Sequence, residues 1–236
     1  MTELAQAHWP ALGAPELVLV PLGSTEQHGP HLPFDTDAVI ATAVARGLAE
    51  RLRVASIAVV VAPALPYGAS GEHQDFPGTT SIGEEALALV IVELARSLRT
   101  WAPRVVFVNG HGGNVRALTD AVAQLVEEGH DAAWVPCGVA GGDAHAGRTE
   151  TSLLLHLAPA SVDLAAAERG VVTPIGELLP ELRRQGVRGV APNGVLGDPT
   201  GASAAEGARL LAAMVDAAAG ALNGINGIAA ARDAAT

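Results

Sequence analysis

Seventeen residues, Pro21 to Asp37, hold Glu26, His28, His31, Asp35 and Asp37. Carboxylates and imidazoles are the side chains that ligate borderline metal ions and carry protons near neutral pH. Two later clusters share the theme: His111 inside Asn109-Gly-His-Gly-Gly-Asn114, and His145 with Glu150 inside Asp143-Ala-His-Ala-Gly-Arg-Thr-Glu-Thr-Ser152. A thiol-free set of this kind suits Zn²⁺, Mn²⁺ or Fe²⁺ in a catalytic site better than a structural zinc. In an extended chain, Glu26 and His28 at i and i+2 aim to the same side. The glycines around His111 let its backbone approach other groups closely.

These side chains need a scaffold that brings them together. The apolar run Leu17-Val-Leu-Val20 feeds into the first cluster, and Val105–Asn109 and Ala132–Pro136 precede the second and third. With Val54–Ala62, these read as buried strands alternating with amphipathic helices, the signature of a mostly parallel sheet covered on both faces. The expected fold is therefore α/β, a single three-layer domain over residues 1–236. Helices are predicted from Thr36 (Ile40, Val44, Leu48), from the capping-box pattern Ser81-Ile-Gly-Glu84 (Leu87, Val90, Ile91, Leu94, Leu98), after Asn114 (Leu118, Val122, Leu125, Val126), and from Ser203-Ala-Ala-Glu206 (Leu210, Leu211, Met214). Pro63–Gly83 and Gly170–Pro199 read as long functional loops, and the Ala-rich tail after Gly220 reads as frayed. In an open parallel sheet, ligands bind outside the carboxyl ends of the strands. All three polar clusters fall on that rim.

Composition narrows the function. A net charge of −11 with no Lys/Arg cluster argues against nucleic acid or an anionic membrane as partner. The single cysteine, Cys137, fits a reducing compartment and reads as a small buried hydrophobe. No apolar run approaches the roughly 18 residues of a spanning helix, so a cytoplasmic setting is the expectation. There is no Gly-x-Ser-x-Gly elbow and no phosphate-binding Gly-x-x-x-x-Gly-Lys-Ser/Thr loop, and Val115 breaks a dinucleotide fingerprint. His8 and His130 read as surface groups, and His156 as a core histidine. His31 and Asp35 read as orienting or turn residues, and His73 either lines an entrance or caps a turn.

With Glu26-x-His28, Asp37, Asn-Gly-His-Gly-Gly-Asn and His-Ala-Gly-x-x-Glu-Thr-Ser in view, the chain resembles the creatininase family of metal-dependent amidohydrolases. The resemblance runs through Phe76-Pro-Gly-Thr79 and Gly194–Thr200. Tyr67–His73 and Asp143–Gly147 look most like the members that trim a small ribosomal precursor peptide. The resemblance implies two divalent metal ions (Zn, Fe or Mn), with Asp37 bridging, Glu26 and His111 completing one site, and His28 and Glu150 the other. It further implies His145 as the proton-shuttling base, Ser70 as a substrate contact, and a homo-oligomeric assembly. The substrate it implies is a modified precursor peptide that loses a Val-Tyr-derived dipeptide through amide hydrolysis by a metal-activated water. Members acting on creatinine carry Tyr and Glu where this chain has Gly112 and Gly113, and an aromatic clamp where it has Gly141 and Gly142. Creatinine is thus disfavoured, and the four glycines are expected to open the pocket. A formamide hydrolase acting on a nucleotide intermediate is the alternative, with Arg116 and Arg148 as the candidate phosphate ligands. A non-catalytic, metal-stabilised module is the other.

Overall fold

In the computed structural model, residues 2–233 are described, with side chains as far as Asn223. Five strands form one wholly parallel sheet: β1 (Thr2–Glu3), β2 (Leu17–Leu22), β3 (Val59–Val61), β4 (Val105–Asn109) and β5 (Ala132–Pro136), in the order β1-β3-β2-β4-β5. Central β2 pairs Val18 with Val60 on one side and Val20 with Phe107 on the other. After β2, the chain crosses through α1 (Thr36–Val54) to β3, then returns through α2 (Glu84–Leu98) to β4 on the opposite side of β2. The β2/β4 boundary is therefore the topological switch point, where the strand ends part to leave a crevice.

The pleat sorts the core into two layers. Leu17, Leu19, Val59, Val61, Val106 and Val108 pack with α1, α4 (Arg148–Leu157) and α6 (Ala204–Asp233). Val18, Val20, Val60 and Phe107 pack with α2 and α3 (Val115–Glu127). Both faces are covered, which is why the strands read as continuous apolar runs rather than alternating ones.

Several sequence expectations are corrected. The predicted strand Val54–Ala62 shrinks to three residues because α1 continues through Val54, and Ser56 at φ 65° reverses the chain. The predicted loop Gly170–Pro199 contains α5 (Ile175–Val190), broken at Gly186. Ser81 does not cap α2; Gly83, at φ 78°, holds the cap position, and the Ser81 hydroxyl accepts the N–H groups of Ser70 and Gly83. Asn114 sits at the start of α3 but spends its side chain on Ala69 N–H and Gly23 O. Ser203 does cap α6, accepting Glu206 N–H at 3.2 Å. His156 is exposed rather than in the core. The helix α6 continues where fraying was expected, and residues 234–236 of that tail lie outside the described residues.

Candidate metal centre

The cluster is built by close backbone packing at the switch point. A Cβ added at Gly23, just past β2, would lie 2.4 Å from Ala38 N, and one at Gly110, just past β4, 2.6 Å from the Asp37 carbonyl oxygen. Only glycine at both places lets the first turn of α1 sit on the two strand ends, and Asp37 is in that turn. There the helix dipole also favours a carboxylate. Glu26, Gln27 and His28 lie in the turn between β2 and α1, tied by Glu26 N–H to Phe34 O at 3.2 Å and Gln27 N–H to Thr79 Oγ1 at 3.1 Å. From β5 the chain reaches His145 and then α4. Ala146 takes a left-handed φ of 52° between them and donates its N–H to Glu150 Oε2 at 2.5 Å. Asp143 accepts the N–H groups of Arg148 and Thr149, fixing the start of α4.

Two ligand triads result, and Asp37 belongs to both. Glu26, Asp37 and His111 offer donor atoms within 4.8 Å of one another, as do His28, Asp37 and Glu150. His111 Nδ1 stands 3.1 Å from Glu26 Oε1 and 3.4 Å from Asp37 Oδ2. His28 Nε2 stands 3.1 Å from Asp37 Oδ1 and 4.0 Å from Glu150 Oε2, while its Nδ1 lies 3.0 Å from the Glu26 carbonyl oxygen. A third grouping joins Glu26 and His28 to His145.

Burial gives this cluster its electrostatics. The His28 and His111 imidazoles are each raised to about 10: burial opposes their charge, but Asp37 beside His28 and Glu26 beside His111 outweigh it. Burial would raise Glu26, yet the His111, His73 and His145 imidazoles hold it well below the usual range. Asp37 is raised by burial and by the neighbouring Glu26 charge. Glu150 is pushed up to about 7, chiefly by burial, although 18% of its side chain remains exposed. His145 is lowered well below its ordinary value by burial, then by His28 and His73.

The donor set fits divalent cations on an observation independent of residue type. Both Glu26 carboxylate oxygens and Asp37 Oδ2 are buried and accept no well-directed hydrogen bond. Such atoms cost stability unless something satisfies them, and a cation in each triad would do so.

The structure brings together Glu26, His28, Asp37, His111, His145 and Glu150, all six of the residues singled out as metal ligands or base. Ser70 is fully buried, with its hydroxyl hydrogen-bonded to Ser24 Oγ. His31 Nε2 lies 2.9 Å from Thr151 Oγ1 and touches none of the ligand candidates by a hydrogen bond, and Asp35 is exposed at the start of α1. His73 is buried inside the site, its Nε2 3.4 Å from Glu26 Oε1, with the ring lowered to about 4 by burial and by the His111 and His28 charges. Gln27 was missed altogether, since an amide between two ligands carries no signal of its own. Of the four glycines expected to open the pocket, Gly112 and Gly141 do face open space. Gly113 and Gly142 do not: a Cβ at Gly113 would lie 2.3 Å from Ala69 O and 2.7 Å from Glu72 Oε1, and one at Gly142 would lie 3.2 Å from Thr149 Oγ1.

A family model described as creatininase, creatinine amidohydrolase, matches residues 4–222. The chain belongs to the creatininase family. Among its relatives is a mycofactocin precursor peptide peptidase of Mycobacterium tuberculosis, 59% identical over 204 residues, covering 84% of this chain and 81% of the relative. A 2-amino-5-formylamino-6-ribosylaminopyrimidin-4(3H)-one 5'-monophosphate deformylase of Methanothermobacter thermautotrophicus is 37% identical over 165 residues, covering 69% and 65%. Among solved structures, a manganese form of creatininase is 27% identical with a TM-score of 0.73, covering 94% of this chain and 97% of that one. Against this creatininase background, the two arginines considered as phosphate ligands are engaged elsewhere. Arg116 pairs with Glu84 at 3.4 Å, and Arg148 pairs with Glu206 at 2.8 Å.

Proposed function

We propose that this chain, acting as one domain across residues 1–236, is a metal-dependent amide hydrolase that cleaves the modified C-terminus of the mycofactocin precursor peptide and releases its Val-Tyr-derived dipeptide. The observation that carries the reading is the pair of buried triads meeting at Asp37 on the switch-point rim, in a chain 59% identical to a peptidase of that name. Glu26, Asp37 and His111 would hold one cation, and His28, Asp37 and Glu150 a second, drawn from Zn, Fe or Mn. When bound, such cations supply Lewis acidity that acidifies a water and polarises an amide carbonyl.

The side chains account for the rest of the chemistry. His145 is held neutral by burial, so it has a free ring nitrogen to take the proton that the water gives up as its oxygen bonds to the carbonyl carbon. The same nitrogen returns the proton to the departing amine as the C–N bond breaks, leaving a carboxylic acid and an amine for one water consumed. The exclusion of bulk water by the buried walls keeps these charges strongly coupled. Open space beside Gly112 and Gly141 suits a peptide end better than a compact planar ring, and Arg116 and Arg148, already paired with Glu84 and Glu206, offer no preformed grip on a nucleotide phosphate. An assembly of several copies is part of the reading. Exposed Leu89 and Val90 on α2 are consistent with a covered face, and light scattering of the purified protein tests it. No helix of the described residues is long and apolar enough to cross a membrane.

Incubating the metal-loaded protein with the modified precursor peptide and, in parallel, with a formamide nucleotide and creatinine tests the substrate. Mass spectrometry should detect the dipeptide only. Deformylation or creatine formation without dipeptide release would overturn the reading.

A further inference from the structure

Gln27 lies between the metal-ligand candidates Glu26 and His28, and its amide touches two imidazoles that are not in either Asp37 triad. Its Oε1 accepts Gly29 N–H at 2.8 Å, and its Nε2 lies 3.1 Å from Gly194 O. A backbone N–H can only donate and a backbone carbonyl can only accept, so the orientation of this amide is settled without reference to the histidines. The same Nε2 is 2.9 Å from His73 Nδ1 and 3.1 Å from His145 Nε2. An NH₂ group has two hydrogens for these three neighbours, and Gly194 O takes one.

The backbone decides where the other goes. His145 Nε2 is 2.8 Å from the Gln27 main-chain carbonyl oxygen, a contact that requires a hydrogen on that ring nitrogen. His145 Nε2 is therefore a donor and cannot accept from the Gln27 amide. The remaining amide hydrogen must go to His73 Nδ1, which is thereby an acceptor. In neutral His73 the ring proton then resides on Nε2, the atom 3.4 Å from Glu26 Oε1. In neutral His145 the lone pair resides on Nδ1, which stands 3.7 Å from that same oxygen. The rings of His73 and His145 are 4.5 Å apart, and those of His145 and His28 4.4 Å, so both are packed in place.

We propose that Gln27 and His73 are positioning residues for the reaction: residue 27 sets the tautomers of both imidazoles, so that His145 presents Nδ1 as its proton-accepting atom and His73 directs an Nε2–H at the Glu26 carboxylate. At 3.4 Å the second contact is an ion–dipole contact rather than a full hydrogen bond, and it acts on one of two carboxylate oxygens that otherwise accept nothing. A donor held against a ligating carboxylate orients it and tunes its charge, and losing such a partner typically costs 10–100-fold in metal affinity or activity. The inference rests on the reading of His145 as the proton carrier.

The test uses full-length, zinc-loaded protein labelled with ¹⁵N-histidine, with His145→Ala and His73→Asn spectra to assign the two rings. Long-range ¹H–¹⁵N correlation should show both rings protonated at Nε2 and unprotonated at Nδ1. A proton at Nδ1 of either ring overturns the proposal. The zinc affinity of two substitutions at residue 73 gives a second readout. His73→Gln keeps a donor near the Nε2 position and should stay within a few-fold of wild type, whereas His73→Asn should lose roughly 10–100-fold. In turnover, the same His73→Asn change should lower kcat with KM little changed. Equal behaviour of the two variants would also overturn it. If His145→Ala retains turnover, the proton-carrier reading fails, while the tautomers remain measurable as they stand.

Discussion

The two halves of the ligand cradle are built differently. Glu26, Asp37 and His111 all lie within the buried interior, on turns leaving β2 and β4 and in the first turn of α1, where glycine contacts leave no room for adjustment. His28 and Asp37 share that rigidity, but Glu150 comes from α4, beyond the segment through Gly141 and left-handed Ala146, and keeps part of its side chain in solvent. The first half is fixed by the sheet itself. The second depends on a loop, and on the proposed two-cation reading it is the half with room to adjust. A tight site beside a looser one is the expected outcome.

Asp37→Ala breaks both halves at once. It should abolish stable binding of two cations per chain and reduce turnover by a thousandfold or more, since loss of metal assistance removes several kcal/mol of transition-state stabilisation and about 1.4 kcal/mol is a factor of ten. Metal analysis beside a peptide-cleavage assay measures it. Glu150→Gln should separate the halves, leaving one cation firmly bound and weakening the second by at least the roughly 10–100-fold that loss of an outer partner costs. Titration calorimetry should then show one tight event where wild type shows two. Chelation should remove turnover but not the fold, because the core lies in the sheet layers rather than around the ligands. Restoring metal at a hundredfold over its dissociation constant should add about 2.7 kcal/mol of stability per occupied site, seen in denaturant unfolding.

Smaller effects probe the scaffold. Gly110→Ala forces a methyl against the Asp37 carbonyl and should cost about 1–3 kcal/mol, with Tm lower by several degrees. Ala146→Gly should leave stability within about 1 kcal/mol of wild type. Relief of about 1–2 kcal/mol of left-handed backbone strain is offset by loss of a buried methyl worth about 0.8 kcal/mol and by the chain entropy of glycine. A large loss on the second change with none on the first would invert the comparison.

The same contrast explains what could be read from the sequence. Glu26, His28, Asp37, His111, His145 and Glu150 were legible because their types declare their chemistry and strand-ending apolar runs place them on one rim. The parallel sheet was legible in Leu17–Val20 and Val105–Asn109 for the same reason. Gln27 was not, because an amide becomes informative only when its neighbours are known. His73 was ambiguous, being in a Gly/Pro-rich loop without periodicity. The helix α5 was hidden by Pro180, Gly176 and Gly186, which break the pattern that betrays a helix. The cap of α2 was misread because Gly83, at φ 78°, takes the cap position and no side chain caps the helix, while the Ser81 hydroxyl is spent on the N–H groups of Ser70 and Gly83.

The shared role of Asp37 can be tested directly by anomalous diffraction at the manganese absorption edge, on crystals of the protein grown with excess manganese. Two peaks flanking the Asp37 carboxylate, one against Glu26 and His111 and the other against His28 and Glu150, are the predicted result. A single peak, or metal bound away from Asp37, would contradict it.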